Sequence, residues 1–243
     1  MHPQIEILKE DNDILVCRKP AGIPVQTAKM GQQDMVSLLK KHRAAEREMP
    51  EIYVVHRLDQ PVEGVMVFAK NPRAAAALSR QIQGKTVDKY YRALVEGVPD
   101  PAESHLEDYL LRDGKTNTSR VVTSKTDGAK KADLSYRVLE IREDRSVSLL
   151  EIRLETGRHH QIRVQMAHAG HPLVGDKKYN PGCTSGYLPI GLSSVRIAFC
   201  HPTTGRRLEY VIEPTGEAFR QFHGPTCEAL QQFHESAVLA ERE

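Results

Sequence analysis

Tryptophan is absent from the 243 residues, and aromatic side chains make up only 5% of them. A tyrosine inside a polar stretch is therefore informative in this chain. Cysteine is sparse too: Cys17, Cys183, Cys200 and Cys227 lie far apart, with no C-x-x-C pair. That spacing argues against a structural zinc site and against a disulfide framework. No apolar segment follows Met1-His2-Pro3-Gln4, and no run approaches the roughly 20 apolar residues that cross a bilayer. Internal repeats, low-complexity tracts and flexible linkers are missing. The chain also lacks a strong charge of either sign, with a formal net charge of +2 and a pI near 8.3. An anionic partner has to be argued from local clusters instead. These absences lead us to expect one soluble, cytoplasmic domain over residues 1–243, large enough to bury a core without staples.

What is present begins with residues 51–70. Ile52-Tyr53-Val54-Val55 is a β-prone run that feeds into His56-Arg57-Leu58-Asp59. After a turn at Gln60-Pro61, a second run follows, Gly64-Val65-Met66-Val67-Phe68-Ala69. Two strands joined by a short loop would hold Asp59 from both sides, a common way to display a catalytic carboxylate. Aspartate also favours the start of a turn, so on these residues alone a purely structural role stays open.

The flanking sequence supplies the rest of the fold. Strands are predicted at 5–8 and 13–18, then a helix over 34–47 with Met35, Leu38 and Leu39 on one face. A second helix runs from Pro72 to Gln83, capped by Asn71. A strand covers 86–96, ended by Gly97 and Pro99. Residues 101–130 read as polar and turn-rich, with short hairpins near Val121-Val122 and a basic cluster that includes Arg112, Lys115 and Arg120. Paired strands follow at 132–141 and 147–154, and further strands at 194–199 and 208–212. About the last 25 residues read as a peripheral helix with a frayed end. Many strands, short turns and few helices imply an α+β class: a mixed, mainly antiparallel central sheet with flanking helices.

A second polar constellation spans residues 156–176. Ile162, Met166 and Ala169 recur at helical spacing, Gly157 precedes that helix and Gly170 ends it. Arg158 and Arg163 fall near its start, where an anion could be met. His159, His160, His168 and His171 raise the question of a metal. None has a carboxylate or cysteine at ligand spacing and H-E-x-x-H is absent, so no metal is expected.

Taken together, these stretches resemble the RluA-type family of RNA pseudouridine synthases. The resemblance rests on four motifs in the family's order. They are residues 13–25 around Arg18-Lys19-Pro20-Ala21-Gly22; His56-Arg57-Leu58-Asp59 followed by Gly64; Lys89-Tyr90-Tyr91-Arg92-Ala93 closed by Gly97; and Thr156-Gly157-Arg158 with His160-Gln161-Ile162-Arg163, Gly170-His171-Pro172 and Gly175-Asp176. The resemblance implies a pseudouridine synthase fold and an isomerase that detaches uracil from C1′ of a uridine and rejoins it through C5. It implies Asp59, Tyr91 and Arg163 as catalytic residues, and His56, Arg57, Arg158, His160 and Gln161 as substrate-binding ones. No cofactor is expected, the partner is structured RNA (ribosomal or transfer), and no membrane or obligatory protein partner is implied.

Two departures stand out. Where the family carries small hydroxyl residues before the glycine, this chain has Val62-Glu63, which would add a negative charge near Asp59. Many relatives begin with an S4-type RNA-binding domain, and none is expected before Ile5. Two rival functions remain: a non-catalytic RNA-binding protein, and a nucleoside or glycoside hydrolase using Asp59, with Glu63 as its second carboxylate.

Overall fold

A computed structural model describes residues 5–46, 49–183, 189–222 and 225. The strands are β1 (Glu6–Glu10), β2 (Ile14–Lys19), β3 (Tyr53–Val54), β4 (Glu63–Ala69), β5 (Asp88–Glu96), β6 (Glu103–Asp113), β7 (Thr118–Val122), β8 (Lys130–Ile141), β9 (Val147–Leu154), β10 (Leu192–Cys200) and β11 (Arg207–Val211). The helices are α1 (Met35–Ala45), α2 (Pro72–Gln83) and α3 (Gln161–His168). All these strands join one sheet in the order β1-β2-β4-β10-β5-β9-β8-β6-β7, with β3 added to β4 and β11 to β10. Among the described residues only β4 and β10 pair in parallel. The α+β class and the mainly antiparallel sheet are as the sequence implied.

Strand alternation sends successive side chains to opposite faces of the sheet. Leu15, Cys17, Met66, Phe68, Tyr91 and Ala93 pack on one face with Met35 and Leu39 of α1 and Ile162 and Met166 of α3. Ile14, Val16, Val65 and Val67 pack on the other with Ala74 and Leu78 of α2. The helix starts follow their caps. Asp34 accepts from the Ser37 N–H at 2.7 Å, and Asn71 from the Ala74 N–H at 2.8 Å.

Two expectations change. Residues 103–113 form a long strand rather than turns. Its inward positions include only two leucines, Leu106 and Leu110, too few for an apolar pattern, and pairing with β7 and β8 supplies the order. The helix expected from Gly157 begins at Gln161, because His160 adopts a left-handed backbone with φ +54°. Arg158 therefore lies in the turn ahead of it. Of the expected C-terminal helix, only a 3-10 turn at Glu217–Phe219 falls among the described residues. No described helix is long and apolar enough to cross a membrane.

Gly64 sits at the parallel contact between β4 and β10, with φ +140°. A Cβ there would lie 2.4 Å from the Ser194 carbonyl oxygen and 2.5 Å from its nitrogen. Gly64→Ala should therefore lower the unfolding free energy by about 3 kcal/mol. Urea denaturation measures this, and a wild-type midpoint would contradict the close approach.

Candidate active site

The loop carrying Asp59 is pinned before any charge is considered. Leu58 and Val62 are buried in the same apolar face as Tyr91. The Val62 N–H donates to the Asp59 carbonyl at 3.1 Å, so Asp59 does start a turn. That turn is also what displays the side chain. Gln60 is stitched to Gly22 twice: the Gly22 N–H donates to the Gln60 carbonyl at 2.8 Å, and Gln60 Nε2 donates to the Gly22 carbonyl at 2.9 Å.

Lys19, at the end of β2, is wholly buried beneath this loop. Its Nζ donates to the carbonyls of Pro20, Gln60 and Val62 at 3.0, 3.1 and 2.7 Å. Burial pulls its pKa down to about 7, against the pull of the Asp59 and Glu63 charges. Three carbonyls around it match the three N–H donors of an ammonium group. His56 opens the loop. Its Nε2 accepts from the Val67 N–H at 3.1 Å, so the ring is neutral and braces β4. Burial, and then the charge of Lys89, lower its pKa to about 3.

The charges are organised by Arg163, which is 4% exposed on α3. Its Nε and Nη2 donate to the two oxygens of buried Asp176 at 2.8 and 2.7 Å. Its Nη1 donates to Asp59 Oδ2 at 2.9 Å. Burial opposes the guanidinium charge, but the carboxylates of Asp176 and Asp59 outweigh it and hold the pKa above its ordinary value. A planar fork can serve both carboxylates at once, which a lysine ammonium cannot. His160 Nε2 lies 3.6 Å from the same Asp59 oxygen. The Asp59 side chain stays 25% accessible while that of Asp176 is fully enclosed, so only the first can meet a ligand.

Tyr91 of β5 borders the same pocket, 6% exposed. Burial and the Asp59 charge push its phenol pKa up, partly offset by a hydrogen bond with Ser194. It thus stays a neutral ring with a hydroxyl group. Arg57 is exposed beside the loop. Arg158 is exposed too, and its Nε donates to the Lys131 carbonyl at 2.8 Å.

Gln161 is buried, and its amide is spent internally. Its oxygen accepts from Thr156 Oγ1 and the Arg158 N–H at 2.8 and 2.9 Å. Its nitrogen donates to the Asp133 carbonyl and Gln165 Oε1 at 3.0 and 2.9 Å. Gln161 and His56, named as substrate-binding on resemblance, here brace the backbone.

Three residues of the site had no role assigned from sequence: Lys19, Asp176 and Tyr179. Asp176 stood inside the Gly175-Asp176 motif, and a buried arginine on an apolar helix face calls for such a carboxylate. Glu63 does not load the pocket with charge as expected. Its carboxylate accepts from Thr215 N–H, Thr215 Oγ1 and Gly216 N–H at 2.9, 2.7 and 2.7 Å. Those bonds commit it elsewhere. Among the described residues, the one grouping of metal-type ligands is His105, Glu107 and Asp133, which includes none of the four histidines considered above.

Lys19→Met keeps the buried volume but takes a donor from three carbonyls, of which that of Gln60 keeps the Gly22 N–H. It should cost on the order of 3 kcal/mol of stability, read by chemical denaturation. His56 gives a pH signature. Its folded pKa lies below the unfolded one, so the stability it contributes is full above about pH 6.5 and is lost as pH falls toward 3. Melting temperature measured from pH 7 to 4.5 should fall less steeply in His56→Gln than in the wild type.

Residues 13–168 match the family model described as RNA pseudouridylate synthase. An RNA pseudouridine synthase of Bacillus subtilis, YhcT, is 37% identical over 180 residues, 74% of this chain and 59% of that protein. The ribosomal large subunit pseudouridine synthase D of Zymomonas mobilis is 32% identical over 223 residues, 86% of this chain and 69% of that protein. This chain thus spans between 59% and 69% of these two relatives' lengths. The structure of human RNA pseudouridylate synthase domain containing 1 superposes with a TM-score of 0.75 at 23% identity, covering 97% of each chain, a likeness of fold. With the family model matching residues 13–168, well over half of the sequence, the chain belongs to the RNA pseudouridylate synthase family.

Proposed function

We propose that this protein, working in the cytoplasm as a single catalytic domain, converts uridine to pseudouridine in large-subunit ribosomal RNA. The observation that supports this most is the charge arrangement: an accessible Asp59 carboxylate held by Arg163, which is itself neutralised by enclosed Asp176. The choice of ribosomal RNA follows the name of the Zymomonas relative.

The chemistry asks for one ionised carboxylate against the ribose. Asp59 either attacks C1′ as a nucleophile or takes the C2′ proton, and each route frees the uracil from C1′. The freed base turns so that C5 bonds to C1′, and the C5 proton leaves. Atoms balance without oxidant or energy input, so we expect no cofactor. Tyr91 would stack on the base, with its hydroxyl in reach of proton transfer.

A stacked uridine cannot reach this pocket, so the base must be flipped out at a cost of a few kcal/mol. Phosphate contacts offset that cost. Arg57, two residues before Asp59, and Arg158, two residues before His160, are exposed and available for such contacts. Arg112, Lys115 and Arg120 line a groove of about 460 Å³ on the β6–β7 hairpin. The hydrolase reading loses its second carboxylate, since Glu63 is held by Thr215 and Gly216 and Asp176 by Arg163.

Asp59→Asn should abolish pseudouridine formation in an unmodified large-subunit ribosomal RNA transcript, followed by mass spectrometry. Retained product, or release of free uracil by the wild type, would overturn the assignment. Arg163→Lys should slow turnover about 100-fold while leaving RNA affinity within about threefold. An affinity collapse with normal turnover at saturation would instead make Arg163 a phosphate contact.

A further inference from the structure

Tyr179 touches Arg163, which holds Asp59, and His160, whose Nε2 lies 3.6 Å from the same carboxylate. Its ring lies under the Arg163 guanidinium, 5.1 Å from the centroid. Its Oη is 2.8 Å from His160 Nδ1 and 2.7 Å from the Ser119 backbone nitrogen on β7. His160 is aimed by its own left-handed backbone and backed by His159, stacked at 3.7 Å between ring centroids. His159 is in turn tied to Ser119 Oγ at 2.9 Å and to Asn117 Oδ1 at 3.2 Å.

The direction of this chain of bonds follows from which atoms carry hydrogen. The Ser119 amide can only donate, so Tyr179 Oη accepts there. The phenolic hydrogen is then free for His160 Nδ1, a bond made when Nδ1 is the bare nitrogen of the ring. A neutral imidazole with Nδ1 bare carries its hydrogen on Nε2. That nitrogen faces Asp59 Oδ2 at 3.6 Å, a contact that would tighten with a substrate in place. Arg163 Nη1 addresses the same oxygen.

Resting on the reading above, we propose that Tyr179 is a positioning residue that locks the His160 tautomer, so that Arg163 and His160 both hold Asp59 Oδ2 and Oδ1 is the reacting oxygen. The protonation states fit. Burial lowers the His160 pKa to about 4, with Asp59 opposing and Arg163 assisting, and burial raises the Tyr179 phenol. Both groups are thus neutral at pH 7. No described residue donates a hydrogen bond to Asp59 Oδ1. The Ser119 link also ties the hairpin that carries Arg112, Lys115 and Arg120 to the carboxylate.

Tyr179→Phe removes the hydroxyl and keeps the ring over Arg163. In histidine-¹⁵N-labelled wild type, with His160 assigned by His160→Gln, the long-range ¹H–¹⁵N spectrum should show the Nε2–H form. In Tyr179→Phe that signal should shift toward a tautomer mixture. Single-turnover pseudouridine formation on the ribosomal RNA transcript should slow about tenfold, with RNA affinity within about twofold. An Nδ1–H tautomer in the wild type, or an unaltered rate in the variant, overturns the proposal. Weakened RNA binding with an unaltered rate at saturation also overturns it, by making Tyr179 an RNA contact. If the wild type forms no pseudouridine at all, the functional reading fails, while the tautomer spectrum still decides the role of Tyr179.

Discussion

Arg163 is the cation on which the pocket depends. A guanidinium enclosed without a counter-charge would be too costly to keep, and a lone buried carboxylate equally so. Pairing it bidentately with Asp176 settles that cost inside the protein. Of the three N–H bonds that remain, one on Nη1 is directed at Asp59, whose side chain alone of the three groups opens to the surface. The three groups carry a net charge of −1, and that charge sits where a ribose would arrive. Had Asp176 been absent, Asp59 would have been needed to neutralise the arginine, and less of it would be free to react.

Holding a carboxylate in position is a backbone problem as much as an electrostatic one. The loop of Asp59 has apolar anchors on both sides, Leu58 and Val62, and a lysine beneath it that collects carbonyls from both of the chain segments it touches. None of these contacts needs a substrate to form. The geometry therefore exists before RNA binds, which is the condition for electrostatic stabilisation without reorganisation.

Much of this could be read in the amino acids, and the reasons differ by element. Asn71-Pro72 marked the start of α2 because a cap and a fixed φ act locally. Asp59, Tyr91 and Arg163 were legible because their neighbours form patterns that few other sequences share. Strand β6 was not, since its order comes from partners β7 and β8 rather than from its own polar residues. Asp176, Lys19 and Tyr179 were missed for a related reason. Their roles are set by partners in other elements: Lys19 meets Gln60 and Val62 at 41 and 43 positions, and Asp176 and Tyr179 fold back on α3 and its cap from 13 and 19 positions away. Glu63 looked like an intruding charge because strand direction, which turns it toward Thr215 and Gly216, cannot be seen in a dipeptide.

The strand order has a consequence for how the molecule is made. β10 lies between β4 and β5, so a late segment of the chain separates two early ones. The portion with Asp59 and the portion with Tyr91 and Arg163 have no shared edge until residues 192–200 slot between them. During synthesis, both pieces must wait with open sheet edges, and the last long strand to emerge welds them together. A ribosome-bound nascent chain that stops short of it holds every residue of the acidic pocket named here, yet lacks the strand that pairs with both of its halves.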